Sequence, residues 1–234
     1  MNIKFMKEIW QEAKQIDRQV SFLHKLISVY LNKTQKPLEG KILKKTLKLT
    51  DRVVDFLDKY GVDYWLESGT LLGVVREGRL LPWDHDVDIT IRIEDLPRII
   101  NKLKSFHFKY GYRVEIVVNR ADATPLKKGD VRLIKIQSRR LFVLPGWAQL
   151  DMFVKIKHDD KMYWSIRNRA LKSAPAHFTD NLAVIEFNSR TYKVPKDSRG
   201  YLAYRFGVDW ETPKKDYDNI RDDKSVEQLL DPLY

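Results

Sequence analysis

An α/β (α+β) domain, entered through an N-terminal helical extension, is the fold class this sequence predicts. Three observations lead there: an apolar seam at helical spacing from Met6 to Tyr30, a change to short β-rich runs from Val62 onward, and helical stretches set between those runs. Strands that alternate with helices fold as a sheet covered by helices. The boundary is expected after residue 50, with residues 1–50 as the extension and residues 51–234 as the main domain.

The first element rests on Met6, Ile9, Ala13, Ile16, Val20, Leu23, Ile27 and Tyr30, which step by three and four as one long amphipathic helix requires. Such a seam packs on its own domain, on a second copy, or on a membrane surface, and the pattern leaves all three open. The Pro and Gly of Thr34-Gln-Lys-Pro-Leu-Glu-Gly40 mark a connector. A second helix is expected from about Lys41 to Tyr60, closed by Gly61 in the left-handed conformation. Strands follow at Tyr64–Glu67, Val87–Ile91, Tyr112–Val118, Val131–Ile136 and Gln149–Val154, with a helical stretch from Glu94 to Tyr110 ended by Gly111. Ala183–Phe187 and Thr191–Val194 read as a hairpin about the turn Asn188-Ser189. A last helix spans Ser198 to Phe206 before Gly207.

Composition narrows the function. Hydrophobic residues make up 43% of the 234 and aromatics 12%, enough to bury a core. A net charge of +11, from 43 Lys and Arg against 32 Asp and Glu, calls for anionic partners: phosphates, nucleotides, nucleic acid or an acidic membrane face. There is no cysteine, so disulfides, zinc–thiolate sites and cysteine nucleophiles are excluded, and any metal is held by oxygen or imidazole. The N-terminus lacks a signal-peptide core, and no stretch approaches the ~18 apolar residues of a membrane span. The expected location is the cytoplasm, with peripheral contact at the inner face of the membrane left open.

The densest chemical signal is Leu81-Pro82-Trp83-Asp84-His85-Asp86-Val87-Asp88, three aspartates at alternate positions leading into an apolar strand. In an extended chain alternate residues share a side, so Asp84, Asp86 and Asp88 present their carboxylates together, while His85 points to the opposite face. Anions so close repel and raise one another's pKa unless a cation neutralises them. A hard divalent ion, Mg²⁺ or Mn²⁺, suits oxygen ligands that also face phosphates. Upstream, Glu67-Ser68-Gly69-Thr70-Leu71-Leu72-Gly73 reads as a strand end, a tight turn and a helix start, whose free amides attract phosphate. Gly69 there allows close approach to the backbone. A third carboxylate is needed from another strand, and Asp151, alone in the apolar run Ala148–Val154, supplies it.

These motifs resemble the LicD and fukutin-related phosphotransferases. The likeness rests on Ser68-Gly69-Thr70-Leu71-Leu72-Gly73, Arg76, Leu81 to Asp88, and Leu150-Asp151-Met152-Phe153. It extends to Val194-Pro195, Tyr201-Leu202 and Phe206-Gly207-Val208-Asp209-Trp210, where Phe206 stands in a place that is commonly Tyr. The resemblance covers roughly residues 51–213 and leaves the preceding helices unexplained. It implies a nucleotidyltransferase-like mixed sheet flanked by helices. It also implies transfer of phosphocholine or a related alditol phosphate from a CDP-linked donor to a hydroxyl of a glycan or glycolipid, with release of CMP. By the family's pattern Asp86, Asp88 and Asp151 bind the metal, with Asp84 as a further carboxylate, and Ser68, Gly69 and Thr70 meet the donor phosphates.

Within that expectation Arg76 stabilises equatorial phosphate oxygens with its planar fork, and Asp151 orients the acceptor hydroxyl or takes its proton. Arg132, Lys135, Arg139 and Arg140 form a basic neighbourhood suited to an anionic acceptor. Two rivals stand beside this reading. A sugar-nucleotide glycosyltransferase also uses Asp-x-Asp, but the Ser-Gly-Thr turn and the third aspartate argue against it. A nucleic-acid-binding module would use the +11 charge, yet three clustered aspartates repel a phosphate backbone.

Overall fold

The computed structural model of the chain describes residues 36–140 and 144–230. The helix expected over Met6–Tyr30 lies outside the described residues. The second expected helix is present as α1 (Gly40–Lys59), which buries Thr46, Leu49, Thr50, Val53, Val54 and Leu57. Those positions recur at three and four residues, so one stripe of α1 enters the main core while its lysines stay in water. Gly61 follows at φ +63, the left-handed stop the sequence called for.

The strands are β1 (Tyr64–Leu66), β2 (Val87–Arg92), β3 (Arg113–Val118), β4 (Val131–Arg140), β5 (Leu144–His158), β6 (Lys161–Ile166), β7 (Ala170–Pro175), β8 (Leu182–Phe187), β9 (Arg190–Pro195) and β10 (Val226–Leu229). Eight of them form a mixed sheet, and β8 and β9 form a separate hairpin. Its turn is Asn188-Ser189, both at positive φ, as two-residue hairpins demand. The long β5 organises the sheet. Its first half lies between β2, to which it runs parallel, and β4, to which it runs antiparallel; its second half turns to pair with β6. β1 extends the β2 side, β3 the β4 side, and β7 and β10 continue from β6.

Between β1 and β2 lies α2 (Ser68–Glu77), closed by Gly78 at φ +65. The stretch expected as one helix from Glu94 to Tyr110 is broken: 3₁₀ turns alternate with the short helices α3 (Leu96–Ile99) and α4 (Lys104–Tyr110). Pro97 sits in the first turn of α3, where its missing N–H costs nothing. α5 (His177–Asp180) precedes the hairpin, and α6 (Ser198–Phe206) follows it with the boundaries read from sequence. Leu49, Val53, Leu71, Ile89, Ile134, Leu150, Met152 and Leu202 meet in one core between the sheet and its helices. No described helix is long and apolar enough to cross a membrane.

Candidate metal and phosphate site

Register brings the carboxylates together. β2 and β5 pair in parallel with Asp88 opposite Asp151, and β4 pairs antiparallel with Lys135 opposite Asp151. Three neighbouring strands thus place Asp88, Asp151 and Lys135 in one row. Asp86 precedes β2 by one residue. Each of Asp86, Asp88 and Asp151 offers a carboxylate oxygen, and these three atoms lie within 4.8 Å of one another. Lys135 Nζ donates to Asp151 Oδ2 at 2.6 Å. Gln149 Nε2 donates to Asp151 Oδ1 at 2.9 Å and to Asp86 Oδ2 at 3.2 Å, bridging the two.

Burial raises the Asp86 carboxyl well above the ordinary carboxylate range, and the charges of Asp151 and Asp84 push it further. Asp88 is raised well above that range by the same two effects, burial first and then Asp86 and Asp151. Lys135 responds oppositely: burial would lower its pKa, but Asp151 raises it beyond the usual value. Burial and mutual repulsion disfavour the charged forms of Asp86 and Asp88, and with oxygens this close the three carboxylates make a donor set that fits an oxygen-preferring divalent cation.

The triad opens into a cavity of about 640 Å³ walled by α2, the segment before β2, strands β4 and β5, and the stretch after α6. Ser68, Gly69, Arg76, Asp84, Asp86, Asp88 and Asp151 all line it. Gly69 has a specific reason to be glycine. A Cβ there would stand 2.4 Å from Asp84 Oδ2, so the missing side chain lets the Asp84 carboxylate lie against the turn. Asp84 Oδ1 accepts the His85 amide at 2.9 Å, and burial raises its pKa.

Thr70 differs from expectation. It is buried outside the cavity lining, and its hydroxyl accepts the Asp88 amide at 2.8 Å, tying α2 to β2 rather than facing the cavity. Arg76 reaches the cavity with its Nη1 donating to the Trp210 carbonyl at 3.2 Å and its Nη2 to Glu77 at 2.6 Å, while its Nε has no hydrogen-bond partner among the described residues. His85, expected to point away from the aspartates, also lines the cavity. Alternation does not yet apply there, because regular strand begins only at Val87.

Behind the Ser68-Gly69 turn sits a buried charge network. Glu67, the last residue before α2, accepts from Trp65 Nε1 (3.0 Å), Thr90 Oγ1 (3.0 Å), Lys155 Nζ (2.6 Å), Tyr201 Oη (2.9 Å), Arg205 Nη1 and the Ser68 amide. Arg205 also donates to Ser68 Oγ at 3.2 Å and to Asp223 at 2.5 Å, and Asp223 accepts from Lys172 at 2.7 Å. Burial alone would raise the Glu67 pKa, but Lys155 and Arg205 outweigh it and bring it down to about 2. Burial drives Lys155 and Lys172 down to about 8 against the pull of their carboxylate partners. The network fixes Ser68, which sits at φ +48, a left-handed conformation uncommon for a residue with a side chain.

The profile described as LicD/FKTN/FKRP, nucleotidyltransferase domain, matches residues 61–197. The chain belongs to the LicD/FKTN/FKRP family. The human ribitol 5-phosphate transferase FKRP is 51% identical over 53 residues, 22% of this chain and 11% of that protein. Human ribitol-5-phosphate transferase FKTN is 28% identical over 192 residues, 79% of this chain and 37% of that protein. The chain therefore spans well under half the length of these relatives. The lincomycin-bound lincosamide adenylyltransferase LnuA aligns with a TM-score of 0.41 and 15% identity over 71% of this chain and 86% of its own.

The matched LicD/FKTN/FKRP segment contains the Ser68-Gly69 turn, the triad, Lys135, Gln149, Glu67 and Lys155. Arg205, Asp223 and the cavity wall after α6 lie beyond it. Sequence reasoning gave Glu67 only a place in a strand and Gln149 only the start of one. Gln149 was within reach, since it stands two residues before Asp151 on the same strand face. Glu67 was not: its partners come from residues up to 138 positions away.

Proposed function

We propose that the chain transfers a phosphoryl-linked group, an alditol phosphate or phosphocholine, from a CDP-linked donor to a hydroxyl of a glycan or glycolipid, releasing CMP. The observation that carries this reading is the convergence of Asp86, Asp88 and Asp151 beside the Ser68-Gly69 turn in a chain of the LicD/FKTN/FKRP family. Such transfer asks a protein mainly to position the reactants and stabilise charge.

Asp86 and Asp88 would hold a divalent cation, Mg²⁺ or Mn²⁺, with Asp151 completing the set and Asp84 beside it. When bound, that cation neutralises diphosphate charge and eases departure of CMP. Ser68 and Gly69 offer the turn to the donor phosphates, and Arg205 and Glu67 keep Ser68 in its left-handed conformation. Gln149 bridges Asp86 and Asp151, and Lys135 offsets the Asp151 charge in the absence of a cation. Arg76 presents its guanidinium at the cavity wall, steadied by Glu77 and the Trp210 carbonyl.

The test is an incubation of the purified chain with Mg²⁺ and a panel of CDP-linked choline, ribitol and glycerol donors, with and without glycan acceptors. The reading expects CMP and a new phosphodiester. No CMP from any of these donors, together with a nucleoside diphosphate and a new glycosidic bond when sugar nucleotides are supplied instead, would replace it with a glycosyltransferase.

A further inference from the structure

The cavity carries more positive charge than the triad uses. Six basic residues line it, Arg76, Arg132, Lys135, Arg167, Lys214 and Lys215, against four aspartates. Three of the six are already committed: Arg76 to Glu77, Lys135 to Asp151, and Lys214 to Asp209 at 2.7 Å. Lys215 lies over the Trp83 ring, 5.5 Å from its centroid. Arg132 and Arg167 remain; neither forms an ion pair or side-chain hydrogen bond among the described residues, although the exposed Arg167 lies near enough to Asp218 to help lower that carboxyl's pKa.

Both are placed at some cost. The Nε of Arg132 is buried with no hydrogen-bond partner. Burial pulls its pKa down to about 10, the neighbouring Arg120 adds to that, and Asp151 only partly opposes it. A half-buried guanidinium beside another guanidinium, without a carboxylate of its own, is unfavourable until an anion arrives. Arg167 occupies the tip of the β6–β7 hairpin. There the Arg169 amide donates to the Ile166 carbonyl at 2.9 Å, and Arg167 and Asn168 stand at φ +52 and +53. Such turns favour Asn or Gly at both central positions, so an arginine there carries strain. Local strain of this kind collects where a side chain has work to do.

We propose that Arg132 and Arg167 form an anion subsite of the cavity, separate from the carboxylate triad, that grips a phosphoryl group of a substrate. Guanidinium forks match phosphate oxygens in pairs, which suits the residue type at both positions. The assignment of the anion to a substrate rests on the transfer reading; the existence of the subsite does not.

The test is calorimetric titration of the full chain, in EDTA, with inorganic pyrophosphate. Arg132→Gln and Arg167→Gln should each weaken binding about fivefold or more, the loss of one charge-assisted hydrogen bond, while exposed Lys45→Gln stays within about twofold. Arg132→Lys should fall between, since it keeps the charge but not the fork. Arg132→Gln should also melt no lower than the parent, because it removes an uncompensated cation; a structural arginine would lower the melting temperature on removal. Repeating the titrations with CMP and with glycerol 3-phosphate separates the sources. Weakened CMP binding assigns the grip to the donor, and weakened glycerol 3-phosphate binding alone assigns it to the transferred group or acceptor. Unchanged pyrophosphate affinity in both glutamine variants, or an equal loss in Lys45→Gln, overturns the subsite. Absence of CMP release from every CDP-linked donor would defeat the transfer reading yet leave the pyrophosphate result standing.

Discussion

Asp88 and Asp151 face each other across the parallel ladder of β2 and β5, and Asp151 in turn faces Lys135 across the antiparallel ladder of β4 and β5. The backbone hydrogen-bond register therefore sets the site. A slip of one residue in either pairing would send Asp88 or Lys135 to the opposite face of the sheet.

Removing a carboxylate of the row should abolish chemistry and spare the fold. Asp88→Asn and Asp151→Asn are expected to lower CMP release at least ~10²-fold, since charge stabilisation at a bound cation is worth several kcal/mol. Far-UV circular dichroism should match the parent. Turnover close to the parent in a folded Asp88→Asn protein would contradict the role given to the row.

Lys135 competes for Asp151. Its ammonium lies 2.6 Å from Oδ2, so Lys135→Met should strengthen Mn²⁺ binding roughly fivefold, for about 1 kcal/mol of repulsion removed. Titration calorimetry reads this directly. Weaker Mn²⁺ binding in the variant would mean that Lys135 orients Asp151 more than it opposes the cation.

Gly69→Ala separates the part of the Ser68-Gly69 turn in the reaction from its part in the core. The added methyl meets the far end of the Asp84 side chain, which can swing aside, so the melting temperature should change little. Asp84 would leave its place against the turn, and CMP release should drop. A large fall in melting temperature with full activity would show that the glycine serves the backbone instead.

The Glu67 network predicts an acid limb of stability. Glu67 is held at about 2 against an ordinary 4.5, so its contribution is fully present above 4.5 and disappears as pH falls from 4.5 toward 2. Urea midpoints measured through that window should decline in the parent and decline less in Glu67→Gln. At about pH 7, Glu67→Gln should cost roughly 3 kcal/mol, because Lys155 is left buried without its counter-charge and Arg205 keeps only Asp223. A flat parent curve from pH 4.5 to 2 would remove Glu67 as the cause.

How far the sequence reached follows from what is local. Gly61, Gly207 and Asn188-Ser189 stop or turn the chain through their own backbone preferences, and α1, α6 and the β8–β9 hairpin fall where those residues put them. The alternation of Asp86 and Asp88 into an apolar strand, and the solitary Asp151, were legible for the same reason. The first half of β5 was not, since Pro145 and Gly146 are residue types that weaken or interrupt a strand. The strand continues through them: a Cβ at Gly146 would stand 2.2 Å from Ser138 Oγ, so glycine there permits the close pairing of β4 and β5. Likewise Thr70 was read by its neighbours in sequence, whereas its hydroxyl answers to Asp88, 18 residues on. Partners set by tertiary packing leave no periodic trace.

The central claim is that Asp86, Asp88 and Asp151 share one divalent cation. Crystals of the full chain grown with Mn²⁺, with anomalous differences recorded at an energy where manganese scatters, test it most directly. The account predicts a peak within coordination distance of an oxygen from each of the three carboxylates, lost in Asp88→Asn. A well-ordered site with no peak there, or manganese bound elsewhere in the cavity, would contradict it.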